Sequence, residues 1–136
     1  MKVKEILEVI VSELSKLESV YSARVVAGNL RPIWRGEFPG VIVFAPVFNS
    51  NSGTVVIAVF GKDDEMWDCV DAVMDAVDVP LTLPHGASLA LSEVRPFEKM
   101  LQRNYDKTCE VTGGFIRDAV PGDMSGLCVA YSLSFT

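Results

Sequence analysis

Apolar residues recur every three or four positions at the start of the chain: Val3, Ile6, Leu7, Ile10, Leu14 and Leu17. Lys4, Glu5, Glu8, Ser12, Glu13, Ser15 and Lys16 lie mainly on the other side. This spacing predicts an amphipathic helix over about residues 2–18. The pattern then changes. Val20 to Ala27 reads as a strand ending at Gly28. Gly40 to Phe48 is apolar at both alternating sets of positions, and so is Thr54 to Phe60. Strands apolar on both faces belong in the middle of a sheet that is covered on each side. Asn49-Ser50-Asn51-Ser52-Gly53 between them carries turn chemistry throughout, so the two strands read as a hairpin.

A second helical pattern runs from about Asp63 to Asp78 and is stopped by Pro80. Met66, Trp67, Val70, Val73, Met74 and Val77 make its expected apolar stripe. Residues 87–96 alternate weakly and read as a strand, and Tyr105 to Ile116 as another. Gly113-Gly114 and the run from Val120 to Gly126 mark a flexible loop. The clearest alternation comes last. Leu127, Val129, Tyr131, Leu133 and Phe135 point one way, and Cys128, Ala130, Ser132, Ser134 and Thr136 the other. That predicts a half-buried strand with a small, hydroxyl-rich outer face. Short connections between successive strands imply a mainly antiparallel sheet of about four to six strands with two helices against it, an α+β fold.

Composition adds bounds. At 136 residues with no repeat, linker or low-complexity tract, the chain is expected to form one domain, residues 1–136. An apolar share of 49% argues against disorder. The net charge of -6 argues against broad nucleic-acid binding, which needs a basic face. No apolar run approaches the ~20 residues of a membrane helix, and none resembles a secretory signal. Cys69, Cys109 and Cys128 lack metal or redox spacing, so buried thiols in an intracellular protein are expected.

Catalytic motifs are missing. His85, between Pro84 and Gly86, is the single histidine, and nothing in the sequence sets a nucleophile beside it. There is no G-x-S-x-G, and Gly113-Gly114 lacks the phosphate-loop pattern. The expectation is a non-enzyme without cofactor or metal.

Three features remain, all suited to contact. Residues 63–78 contain seven acids and no Lys or Arg. At about 100° per residue, Asp64, Asp68, Asp71, Asp75 and Asp78 form one narrow stripe. Cys69, Ala72 and Ala76 form a second stripe of small residues. The acidic stripe reads as a solvated face, as a surface that meets a basic patch or repels DNA phosphates, or as a carboxylate site for a divalent ion without EF-hand geometry. The segment from Asn29 to Gly40 sets Trp34 between Arg31 and Arg35, two residue types enriched in binding hot spots. Trp34 reads as a cover for the core edge, as an interface residue or, against the overall charge, as a stacking platform for nucleic-acid bases. The loop 112–126 carries Phe115, Ile116 and Arg117. The candidate interface residues are therefore Arg31, Trp34, Arg35, Asp64, Asp68, Asp71, Asp75, Phe115 and Arg117.

Phe38-Pro39-Gly40-Val41-Ile42-Val43-Phe44 enters a central strand, the acidic helix Asp64 to Val77 carries Trp67, and Leu127 to Phe135 forms the last strand. In this order of elements, over most of its length, the chain resembles the tail terminator proteins of long-tailed bacteriophages, of the type of the minor tail protein U of lambda-like phages. The resemblance implies a virion structural protein, made in the host cytoplasm. Such a protein forms a homo-oligomeric, hexameric ring on the tail tube, ends tube growth and joins tail to head. Its implied partners are the tail-tube protein and the head–tail connector, with DNA passing through unbound. No enzymatic activity is implied. The alternative reading of the residues is a small cytosolic protein-binding or regulatory module, also without catalysis.

Overall fold

In the computed structural model the described residues are 1–25, 38–78, 81–97 and 124–136. They form two helices and a five-stranded mixed sheet, mostly antiparallel, with both helices packed against it: an α+β fold. Helix α1 is Lys2–Leu14 and α2 is Asp63–Asp78. The strands are β1 (Ser22–Val25), β2 (Gly40–Phe48), β3 (Ser52–Gly61), β4 (Ser88–Pro96) and β5 (Ser125–Ser134). Across the sheet they run β1-β2-β3-β5-β4. The β1–β2 pair is parallel and the other three pairs are antiparallel.

The doubly apolar strands are central, as their sequence requires. In β2 and β3, Val41, Val43, Val55, Ile57 and Val59 point to the helix side, where they meet Val3, Ile6, Leu7, Ile10 and Leu14 of α1. The same cluster takes in Met66, Cys69, Val70, Val73 and Val77 of α2. Ile42, Phe44, Val56, Ala58 and Phe60 point to the other side and are buried there with Phe97. The Phe60 and Phe97 rings meet edge to face, 5.1 Å between centroids. Gly126 makes room for them, since a Cβ there would lie 2.5 Å from the Phe60 ring.

The hairpin forms where expected. Asn49 Oδ1 accepts hydrogen bonds from the backbone N–H of Asn51 (3.0 Å) and Ser52 (2.8 Å), so the asparagine side chain builds the turn. Pro46 sits where the β2–β3 register shifts, a place that tolerates a residue without an N–H.

Several expectations need correction. α1 ends at Leu14, four residues early: Ser15 turns its hydroxyl back onto the Val11 carbonyl at 2.7 Å, and Leu17 packs on the core from outside the helix. The outer face of β5 is only half open. Ser132 and Ser134 are exposed, but Cys128 and Ala130 are buried in the second cluster, because β5 lies between β3 and β4. Ser125 and Gly126, expected in a loop, already belong to β5. The expected strand from Tyr105 to Ile116 lies outside the described residues.

Candidate docking surface

Strand order decides what each helix covers. α1 packs over β1 and β2, and α2 over β3 and β5. β4, the last of the described strands in the sheet, packs chiefly on β5. Its helix-side positions are fixed by register: Leu89 opposite Leu133, Leu91 opposite Tyr131 and Val94 opposite Val129. Leu91 stays 48% exposed and Val94 39%.

The α2 flank beside them is legible from helical geometry. Val77, Asp78, Leu81, Leu83, Ala87, Ser88 and Leu89 line a cleft of about 340 Å³ where the end of α2 meets the start of β4. Asp78 is thus on the β4 side of α2. Trp67 and Met74 lie eleven and four residues before it, three turns and one turn back on that same flank. Trp67 is 53% exposed. Its expected place in the apolar stripe is therefore wrong. The buried arc is centred on Met66, Val70, Val73 and Val77, and Trp67 stands about 100° away from it. Of Cys69, Ala72 and Ala76, expected as a separate small face, two belong to the core side: Cys69 is buried and Ala76 packs against the helix-side cluster, while Ala72 is half-buried.

The acids complete the surface. Asp64, Asp68, Asp71, Asp75 and Asp78 are all exposed. Among the described residues none of them has a salt-bridge partner, and α2 has no basic residue in its last turn to answer the dipole. No group of three or more His, Cys, Asp or Glu among the described residues is arranged to hold a metal. The structure thus brings Asp64, Asp68, Asp71 and Asp75 together on one helix. Arg31, Trp34, Arg35, Phe115 and Arg117 lie outside the described residues.

Two buried groups sit beneath α2. Tyr131 is 1% exposed and its hydroxyl has no hydrogen-bond partner among the described residues. Burial, reinforced by the Asp78 carboxylate, pushes its pKa up to about 12. Cys69 is a fully buried thiol of the helix-side core, and burial pushes its pKa up to about 11.

His85 is structural in its contacts. It sits at φ 59 in a 3-10 turn, Pro84–Gly86. Its Nε2 contacts the Glu5 carboxylate of α1. Its carbonyl accepts from the Thr136 N–H (2.8 Å) and hydroxyl (3.0 Å). Lys2 Nζ donates to the Thr136 carbonyl at 3.1 Å, so α1, the turn and the strand end are tied together.

Leu91 and Val94 were not foreseen as surface residues. Their exposure follows from the place of β4 at the end of the described strand order, which local pattern does not carry. No helix among the described residues is long and apolar enough to cross a membrane. The chain matches no protein-family model and no curated protein.

Proposed function

We propose that this chain is a phage virion structural protein of the tail terminator type, which assembles with copies of itself into a ring on the tail tube, ends tube growth and joins tail to head. The observation that carries the reading is the exposure of the apolar Trp67, Leu91 and Val94 together with a helix face of acids that have no ion-pair partner among the described residues. Exposed apolar side chains gathered within a charged rim are a feature of surfaces that meet another protein. The element order around them is that of the family resemblance: helix, central strand after Phe38-Pro39-Gly40, hairpin, acidic Trp-bearing helix and closing strand. A ring uses unlike patches on neighbouring copies. The acidic α2 face and the Arg31-Trp34-Arg35 sequence are such a pair in charge.

Native mass spectrometry and negative-stain microscopy test the reading. Closed rings are expected. Reversal of Arg31 and Arg35 to Glu should weaken them, and Asp71→Lys with Asp75→Lys should partly restore them. A chain that remains monomeric at every concentration, alone and with tail-tube protein, overturns the assembly reading and favours the small binding module.

A further inference from the structure

We propose that the trough between α2 and β4 is the acceptor half of a head-to-tail self-interface, occupied by the opposite sheet edge of a second copy of this chain. The inference rests on the assembly reading above and names the surfaces it uses.

The trough has a defined chemistry. Its floor is the helix side of β4, with Leu91 and Val94 exposed and Leu89 at the cleft. Its wall is the flank of α2 that carries Asp78 at the cleft, the flank to which helical spacing also assigns Trp67, Met74 and Asp71. No Lys or Arg occurs anywhere in α2. The occupant that fits is apolar and carries positive charge. This chain has such a sequence in Arg31-Pro32-Ile33-Trp34-Arg35.

Topology supplies the second argument. Residues 26–37 join β1 to β2, and β1 is at the far edge of the sheet from β4. Four strand spacings, roughly 19 Å, separate the two edges. A basic donor tethered at one edge and an acidic acceptor at the other give a heterologous contact, which propagates around a ring. A donor beside the acceptor would instead favour a two-fold dimer.

The third argument concerns how the contact is made. β4 is a poor template for adding a strand. Its register shifts between Leu91 and Glu93, Glu93 and Arg95 form an ion pair at 2.8 Å, and it ends at Pro96. Bulges, charges and proline are the devices that keep sheet edges from pairing. The neighbour therefore docks on the helix-side face of β4, against Trp67, and does not extend the sheet.

The test places a photo-crosslinking side chain at Val94, and separately at Trp67, in the full-length chain. Isotopically light and heavy protein are mixed so that cross-links between copies can be told from those within one. The expected result is inter-copy cross-links from both positions to residues 26–37. In parallel, Leu91→Ser with Val94→Ser should weaken self-association about tenfold or more, as loss of apolar anchors does, with an unchanged circular dichroism spectrum. Oligomers whose cross-links from Val94 map to another segment, or to Val94 of the partner, overturn the trough proposal and leave the assembly reading standing. So does a double variant that associates as tightly as the parent. A parent chain that forms neither oligomers nor inter-copy cross-links overturns both.

Discussion

The two helices do the same work on the inside and opposite things on the outside. α1 buries Val3, Ile6, Leu7, Ile10 and Leu14, and α2 buries Met66, Cys69, Val70, Val73 and Val77, in one cluster. Outside, α1 is charge-balanced: Lys4 lies 3.9 Å from Glu8, Lys16 lies 2.9 Å from Glu13, and Glu5 contacts His85. α2 offers only acids, unpaired among the described residues, and exposes Trp67. One helix has a finished surface. The other leaves its acids without ion pairs among the described residues and its tryptophan half in water. Internal packing and external patterning are thus separable, and substitutions should separate them.

The sharpest break sets a buried α1 residue against the exposed α2 tryptophan. Ile10 is fully buried, so Ile10→Ala should cost about 2–5 kcal/mol from lost transfer and cavity terms. Trp67→Ala should stay within about 0.5 kcal/mol, because half its surface is already in water. Denaturant melts of the two variants check this. In an assembly assay the order should reverse, with Trp67→Ala the damaging change once Ile10→Ala is studied below its melting temperature. A Trp67→Ala variant destabilised as much as Ile10→Ala would mean that α2 has no partner-facing side.

Much of this contrast was legible in the sequence. Helical periodicity located α2 from Asp63 to Asp78, and double-sided apolarity put β2 and β3 inside the sheet. The seven acids of α2 were legible as a stripe, and the stripe is exposed. The direction of Trp67 was not. Hydrophobicity alone widens an apolar stripe to include any flanking aromatic, whereas the buried arc is set by which strands the helix crosses. Nor did the sequence show that β1 runs parallel to β2, since pairing direction depends on a connection whose path carries no local signal. The exposure of Leu91 and Val94 follows from β4 being last in the strand order, a non-local fact. The candidate site was therefore half readable: its charges come from local pattern, its apolar floor from topology.

The inner face of α2 offers the next test. The Tyr131 hydroxyl ordinarily ionises near 10 and is pushed up to about 12 here, first by burial and then by Asp78. A folded-state pKa raised in this way adds stability that is complete below pH 10 and is lost as pH rises through 12. Cys69 acts in the same direction, from 9 up to about 11. Thermal melts from pH 8 to 12 should show a falling Tm above about pH 9. Tyr131→Phe should flatten the upper part of that fall. At pH 7 it should be neutral or stabilising by about 1 kcal/mol, because the hydroxyl it removes is buried without a partner among the described residues.

A smaller effect tests whether the acids of α2 serve the fold. Asp75 and Asp78 lie in the last turns, where the helix dipole disfavours negative charge, and each has acidic neighbours three or four residues away. Asp75→Lys should therefore stabilise the chain by about 0.3–1 kcal/mol at low ionic strength, with the gain shrinking in 1 M salt. Lys4→Glu, on the balanced helix, should do the reverse by breaking its pair with Glu8. Urea titrations at two salt concentrations distinguish these signs. If Asp75→Lys destabilises the isolated chain, the acidic stripe is part of the fold and not a surface kept for a partner.

The smallest effect concerns how α1 is tied down. The His85 side chain, by hydrogen bonding and then by its charge, holds the Glu5 carboxyl below its ordinary value of 4.5, against a smaller opposing effect of burial. A depressed carboxyl pKa adds stability that is present above the unfolded value and is lost as pH falls through the folded one. The contribution should therefore be intact at pH 6 and fade below about pH 4.5. Because Glu5 is at the surface, water screens the contact and the change in Tm should be small. Glu5→Gln should remove the acid-side decline attributable to this contact and leave the alkaline decline from Tyr131 and Cys69 untouched. The α2 acids provide the control: none has a described cationic partner, so Asp68→Asn should leave the same acid limb unchanged. An equal response of the two variants between pH 3 and 6 would remove the distinction between a helix whose charges are tied to the fold and one whose charges are left for another molecule.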